Sequence, residues 1–162
     1  MNHKDPTCKC ARCAAIAAGA TPEEADKQQV DWTREKMKKH GWIVHFVPDD
    51  EQSPTGTNIH THGLQENFGH PDFQLIVPLP QKMAHNILIN LADRVKAGEV
   101  FTDGQVVTGV IRGFEVKMVT ATETGRVVLR VVIPAKDGKL DREEMSEPWV
   151  KQYADLEGGA SK

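Results

Sequence analysis

The sequence predicts a single α+β domain: a mixed, mostly antiparallel sheet with two main helices packed on one face. Three observations carry that prediction. Two segments have helical apolar spacing and complete end signals, at residues 21–41 and 81–98. Several short β-branched stretches are separated by glycine- and proline-containing turns. The chain has 162 residues, enough to bury one core without disulfides. We divide it into a cysteine-containing N-terminal tail at 1–20, the domain at 21–156 and a disordered tail at 157–162.

In chain order, Cys8, Cys10 and Cys13 come first, as C-x-C-x-x-C. Thiolates at this spacing can converge on a soft ion, with Lys4, Lys9 and Arg12 favouring deprotonation. A closed zinc site needs four ligands, and only His3 is local. The alternative is a reduced tail without a structural role. Thr21-Pro22-Glu23-Glu24 then reads as a capping box with proline at the first helical position. Acids early in this helix, bases late and Gly41 as the left-handed stop complete it. Its apolar positions are sparse, so one narrow face should meet the sheet.

Residues 42–47 form a β-rich run closed by Pro48, in which His45 reads as a partly buried or edge histidine. Residues 49–57 are a polar loop. The next stretch, 58–71, holds His60, His62 and His70, three of the seven histidines, with Glu66 among them. In a strand, His60 and His62 share one face. That pair is half of a metal site, and His70 or Glu66 is placed to return from the loop beyond. The pair could equally be satisfied polar residues, and Gly69-His70-Pro71-Asp72 a turn. Residues 73–80 read as a central strand. Residues 81–97 form an amphipathic core helix through Met83, Ala84, Ile87, Leu88, Leu91, Ala92 and Val95, with His85 beside the stripe. An antiparallel meander follows, with strands at 99–101, 106–112, 114–120 and 126–134, and a turn at Glu123-Thr124-Gly125. Beyond it, Trp149 and Tyr153 sit in a short helical segment that docks them.

Charge and motifs narrow the function. A net charge of −3 and a pI near 6.2 give no field for a phosphate backbone, which disfavours nucleic acid. No apolar run reaches the length of a membrane span, and the N-terminus lacks the apolar core of a secretory signal. A cytoplasmic location is expected. No phosphate loop or dinucleotide fingerprint occurs, so no nucleotide cofactor is indicated. The leading expectation is a divalent metal, zinc by its imidazole ligands, at His60 and His62 with His70. Glu66 would be the base if the metal activates water for hydrolysis. The alternative is a noncatalytic interaction module built on a zinc-dependent Cys8/Cys10/Cys13 element. Partners are not specified, and a homo-oligomer is compatible with the sequence.

Two resemblances add to this reading. Gly41-Trp42, the strand end at 61–64, Phe68-Gly69-His70-Pro71-Asp72, the apolar strand, Leu79-Pro80 with Ala84-His85, Ala97-Gly98, Phe101 and Asp103-Gly104 together resemble a bacterial family, domain of unknown function 4262. The resemblance covers roughly 41–134. It implies a bacterial or phage cytoplasmic α+β domain and supplies no mechanism. Members of that family commonly have a tyrosine-containing strand where this chain has Ile59-His60-Thr61-His62, so a histidine metal site would not be general to the family. His60-Thr61-His62 through Glu66 also resembles the H-x-H-x-x-x-E segment of cupins, whose second motif has no counterpart here.

Overall fold

The computed structural model describes residues 10–47 and 50–154. Cys8, the Pro48 strand stop and the tail at 157–162 lie outside that range. The helices are α1 (Ala11–Ala17), α2 (Pro22–His40), α3 (Leu64–Phe68) and α4 (Gln81–Lys96). The strands are β1 (Ile43–Val47), β2 (Asn58–His62), β3 (Asp72–Leu75), β4 (Val106–Ile111), β5 (Phe114–Glu123) and β6 (Arg126–Val132). They form one six-stranded sheet in the order β1-β2-β3-β6-β5-β4. Only β3 and β6 pair in parallel; every other neighbouring pair is antiparallel. The α+β, mostly antiparallel architecture expected from the sequence is therefore present.

Local chemistry explains the two long helices. The hydroxyl of Thr21 accepts from Glu24 N–H, and the Glu24 carboxylate accepts from Thr21 N–H, closing the capping box. Gly41, at φ 82°, ends α2 in the left-handed conformation. The predicted stripe of α4 is buried except for Met83, which is exposed. It covers a core that includes Ile59, Phe73, Leu75, Val116, Met118 and Val131.

The other face of the sheet is also covered, by the C-terminal segment. A 3-10 turn at Trp149–Tyr153 places Tyr153 on a second cluster with Val119, Ala121, Val128 and Val132. Trp149 packs against the α4 side. Arg130 crosses that second face fully buried, donating to Gln74 Oε1 and the Gln152 carbonyl.

Helix α2 meets the sheet at its C-terminal end and carries α1 near its start. Its buried residue is Ala25. Near its start, Arg12 N–H donates to Gln29 and the Arg12 guanidinium pairs with Asp26, which docks α1 on it. At its other end Gly63 approaches so closely that an added Cβ would lie 2.5 Å from the Gly41 carbonyl oxygen. Along its length α2 faces α4 across a cleft floored by β1.

Two expected strands are corrected. Residues 99–101 form no strand. Phe101 instead inserts into the core, and its N–H donates to His70 Nε2, so this backbone donor is committed to a side chain. The apolar run at 73–80 leaves the ladder after Leu75. Ile76 and Val77 are buried outside the strand, where the Ile76 carbonyl accepts from the Thr55 hydroxyl.

Candidate metal centre

Strand β2 is held by buried polar contacts. The Thr61 hydroxyl donates to Asp72 at 2.7 Å and accepts from Phe73 N–H at 3.0 Å. Asp72 also accepts from Leu64 N–H, and Gly63, at φ 108°, turns the chain out of the strand. These contacts fix which face Asn58, His60 and His62 occupy.

Pairing with β1 then adds a third imidazole. In the antiparallel register His45 lies directly across from His60, and Ile43 across from His62. All three rings share the face opposite α4. Ring centroids are 5.1 Å apart for His45–His60, 5.7 Å for His45–His62 and 4.7 Å for His60–His62. One nitrogen from each ring lies within 4.8 Å of the others. Among the described residues this is the one group of three ligand-type side chains so arranged. The His60 and His62 Nε2 atoms are 2.9 Å apart. A tetrahedral ion with metal–nitrogen bonds of about 2.0–2.1 Å spaces its ligands about 3.3 Å apart, so His60 and His62 would open by a few tenths of an ångström and any separation nearer the 4.8 Å limit would close.

A polar layer behind the rings sets their tautomers. His60 Nδ1 lies 2.9 Å from Asn58 Oδ1. That oxygen also accepts from Gln74 Nε2 at 3.2 Å, while Asn58 Nδ2 donates to Asp50 and Glu123. An amide oxygen only accepts, so His60 carries its proton on Nδ1 and turns the Nε2 lone pair towards His62. His62 Nε2–H then donates to it when no ion intervenes. Farther back, Arg126 donates to Glu123 at 2.7 Å, to Asp72 at 3.0 Å and to the Thr61 carbonyl.

The electrostatics favour neutral imidazoles. Burial pushes His60 down to about 3, with Glu123 opposing and the neighbouring histidines and Arg126 adding. His62 is lowered by burial and then by Arg126, and His45 by burial. Burial acts to raise Glu123, yet the hydrogen bond and charge of Arg126 outweigh it and leave the carboxyl lowered. Neutral rings backed by a carboxamide and a carboxylate are the state in which histidine binds a metal. His60 is buried, His62 half-buried and His45 exposed, so the group is reached from one side.

The other sequence candidates fall elsewhere. His70 stands apart from the trio. Its Nδ1–H donates to the Pro71 carbonyl at 2.8 Å and its Nε2 accepts from Phe101 N–H at 2.9 Å, so both nitrogens serve the backbone. Glu66 is exposed on α3 and lines the cleft together with His45 and His62. Cys10 is buried as the N-cap of α1, its sulfur accepting from Cys13 N–H. His45 is the residue that sequence reasoning passed over. Its signal was its position on the face of Ile43 and Val47, which becomes informative only once β1 is paired with β2.

A family model described as a domain of unknown function, DUF4262, matches residues 36–140. The chain belongs to this family. The DUF4262 match runs from the end of α2 through all six strands, and so includes the three histidines with Asn58, Glu123 and Arg126. No curated protein and no solved structure matches the chain. No helix among the described residues is long and apolar enough to cross a membrane.

Proposed function

We propose that this DUF4262 protein binds a divalent transition metal, zinc by preference, through His45, His60 and His62. The support is the convergence of three nitrogens within 4.8 Å on one sheet face. Imidazole ligands suit zinc-class ions, and three of them leave one coordination position for water or a ligand. An ion in that setting lowers the pKa of bound water, and hydrolysis is the chemistry the donor set serves best. Glu66, whose charge acts on His62, is the side chain we assign to accept the water proton. Asn58 and Glu123 orient and polarise His60 from behind.

The test is elemental analysis and zinc titration of the full chain beside two variants. His45→Ala removes an exposed ligand with little consequence for the fold, and should abolish tight stoichiometric zinc. The Cys8→Ser, Cys10→Ser, Cys13→Ser variant should retain it. Zinc lost with the cysteines and kept by His45→Ala would overturn the assignment in favour of the thiolate element.

A further inference from the structure

Cys10 and Cys13 lie within the described residues and play no part in the histidine group. Cys10 is the N-cap of α1 and Cys13 its third residue. The N-cap backbone is extended, at φ −67° and ψ 161°, which turns the Cys10 side chain over the first turn of the helix. There its Sγ accepts from Cys13 N–H at 3.4 Å. Cys13 Sγ hangs from the residue that carries this nitrogen, so rotation about the Cys13 Cα–Cβ bond sets the distance between the two sulfurs. Helix geometry places Cα atoms three residues apart at about 5 Å, within the span of about 4.4–6.8 Å that a disulfide bridges.

The two thiols differ in access. Cys10 is 4% exposed, whereas Cys13 is half-buried. Between them in sequence, Arg12 has its pKa raised first by the hydrogen bond to Asp26, and also by the charges of Cys13 and Cys10. A guanidinium that feels both sulfurs favours the thiolate, the nucleophile of disulfide exchange. The Arg12 contacts with Gln29 and Asp26 tie this first turn to α2.

We propose that Cys10 and Cys13 form a thiol–disulfide exchange site whose co-substrate is a low-molecular-weight disulfide. The Cys13 thiolate, the more accessible of the two, attacks one sulfur of the co-substrate and expels the other as a thiolate, leaving a mixed disulfide on Cys13. Cys10 then loses its thiol proton to solvent and attacks Cys13 Sγ, which expels the second thiolate. The pair is oxidised by two electrons to a disulfide. The co-substrate is reduced by two electrons to two thiols, which take up the two protons that the cysteines lost. Cys13 is thus the nucleophile and Cys10 the resolving residue. This chemistry is independent of an ion at the histidines.

Oxidised glutathione is the probe, added to the full chain at neutral pH with a chelator present. Remaining thiols are blocked with one alkylating reagent under denaturing conditions, the chain is reduced, and the released thiols take a second reagent. Trypsin then cuts after Lys9 and Arg12, which puts each of the three cysteines on its own peptide. In the native chain Cys10 and Cys13 should carry the second reagent together, at least about tenfold more often than Cys8. Intact mass should show loss of the two thiol hydrogens and no added glutathione. Cys10→Ser keeps an N-cap acceptor and should instead hold glutathione on Cys13, while Cys8→Ser should behave as the wild type. Reaction in urea should erase the preference for Cys10 and Cys13. Equal labelling of all three cysteines in the native chain, an undiminished preference in urea, or a glutathione adduct that accumulates in Cys8→Ser but not in Cys10→Ser would overturn the assignment. Cysteines that oxidised glutathione leaves unchanged would overturn it as well.

Discussion

His45 and His60 face each other directly across the β1–β2 ladder, with their rings 5.1 Å apart at an interplanar angle of 80°. One histidine is exposed on the edge strand and the other is 2% exposed beneath it. An ion at this group is therefore entered from the His45 side and anchored from the His60 side. The contrast decides which changes remove ligands and which disturb the fold.

Asn58 is the test of the layer behind the ligands. Its Oδ1 fixes the His60 proton on Nδ1, so Asn58→Ala should leave the three rings in place but release that tautomer. Zinc affinity should fall about 10- to 100-fold, measured by competition with a chelating dye. An affinity equal to the wild type would show that Asn58 does not orient His60.

Acid should unfold the metal-free protein earlier than its carboxylates alone require. Burial holds His60 at about 3, against about 6.5 in an unfolded chain. Between those values the unfolded chain takes up a proton that the folded chain refuses. The stability contributed by neutral His60 is thus complete above about pH 6.5 and is lost as the pH falls towards 3. Its slope approaches about 1.4 kcal/mol per pH unit, and the lowered His45 and His62 act in the same direction. Urea denaturation in the presence of a chelator at about pH 7.5 and pH 5 reads this directly. A flat profile over that range would contradict it.

Gly63 sits where β2 leaves the sheet at φ 108°. An alanine there meets both a disfavoured backbone conformation and the Gly41 carbonyl oxygen at 2.5 Å. Gly63→Ala should cost about 3 kcal/mol or more in thermal or urea unfolding. Gly69→Ala, with φ 65° but open space around its Cβ, should cost nearer 1 kcal/mol. Equal losses would mean that the close approach is not what constrains Gly63.

His70 serves the backbone. Its removal leaves the buried Phe101 N–H without its acceptor, so His70→Ala should destabilise the protein by roughly 2–4 kcal/mol. Zinc stoichiometry should be unchanged under conditions where the variant is folded. Loss of the metal with the fold intact would return His70 to the ligand set.

Much of this architecture was legible because it is written locally. The capping box at Thr21 and Glu24, the left-handed stop at Gly41 and the apolar stripe of α4 each depend on residues a few positions apart. The Thr124-Gly125 turn is equally local, with both residues at positive φ as a tight two-residue hairpin requires. The same-face relation of His60 and His62 follows from the period of a strand and needs no tertiary information.

His45, His70 and Phe101 were a different matter. His45 becomes a neighbour of His60 only through the register of two strands separated by residues 48–57, and no local period encodes that register. His70 lies ten residues after His60, closer in sequence than His45, yet its two nitrogens are taken by Pro71 and Phe101. Phe101 looked like the end of a strand until the core offered its ring a place and His70 offered its N–H an acceptor. The sequence by itself determined the two long helices with their ends, most of the strands and one half of the histidine group. Strand pairing and the competition of buried backbone donors for acceptors decided which third histidine completes that group, because those choices are settled by contacts between residues far apart in the chain.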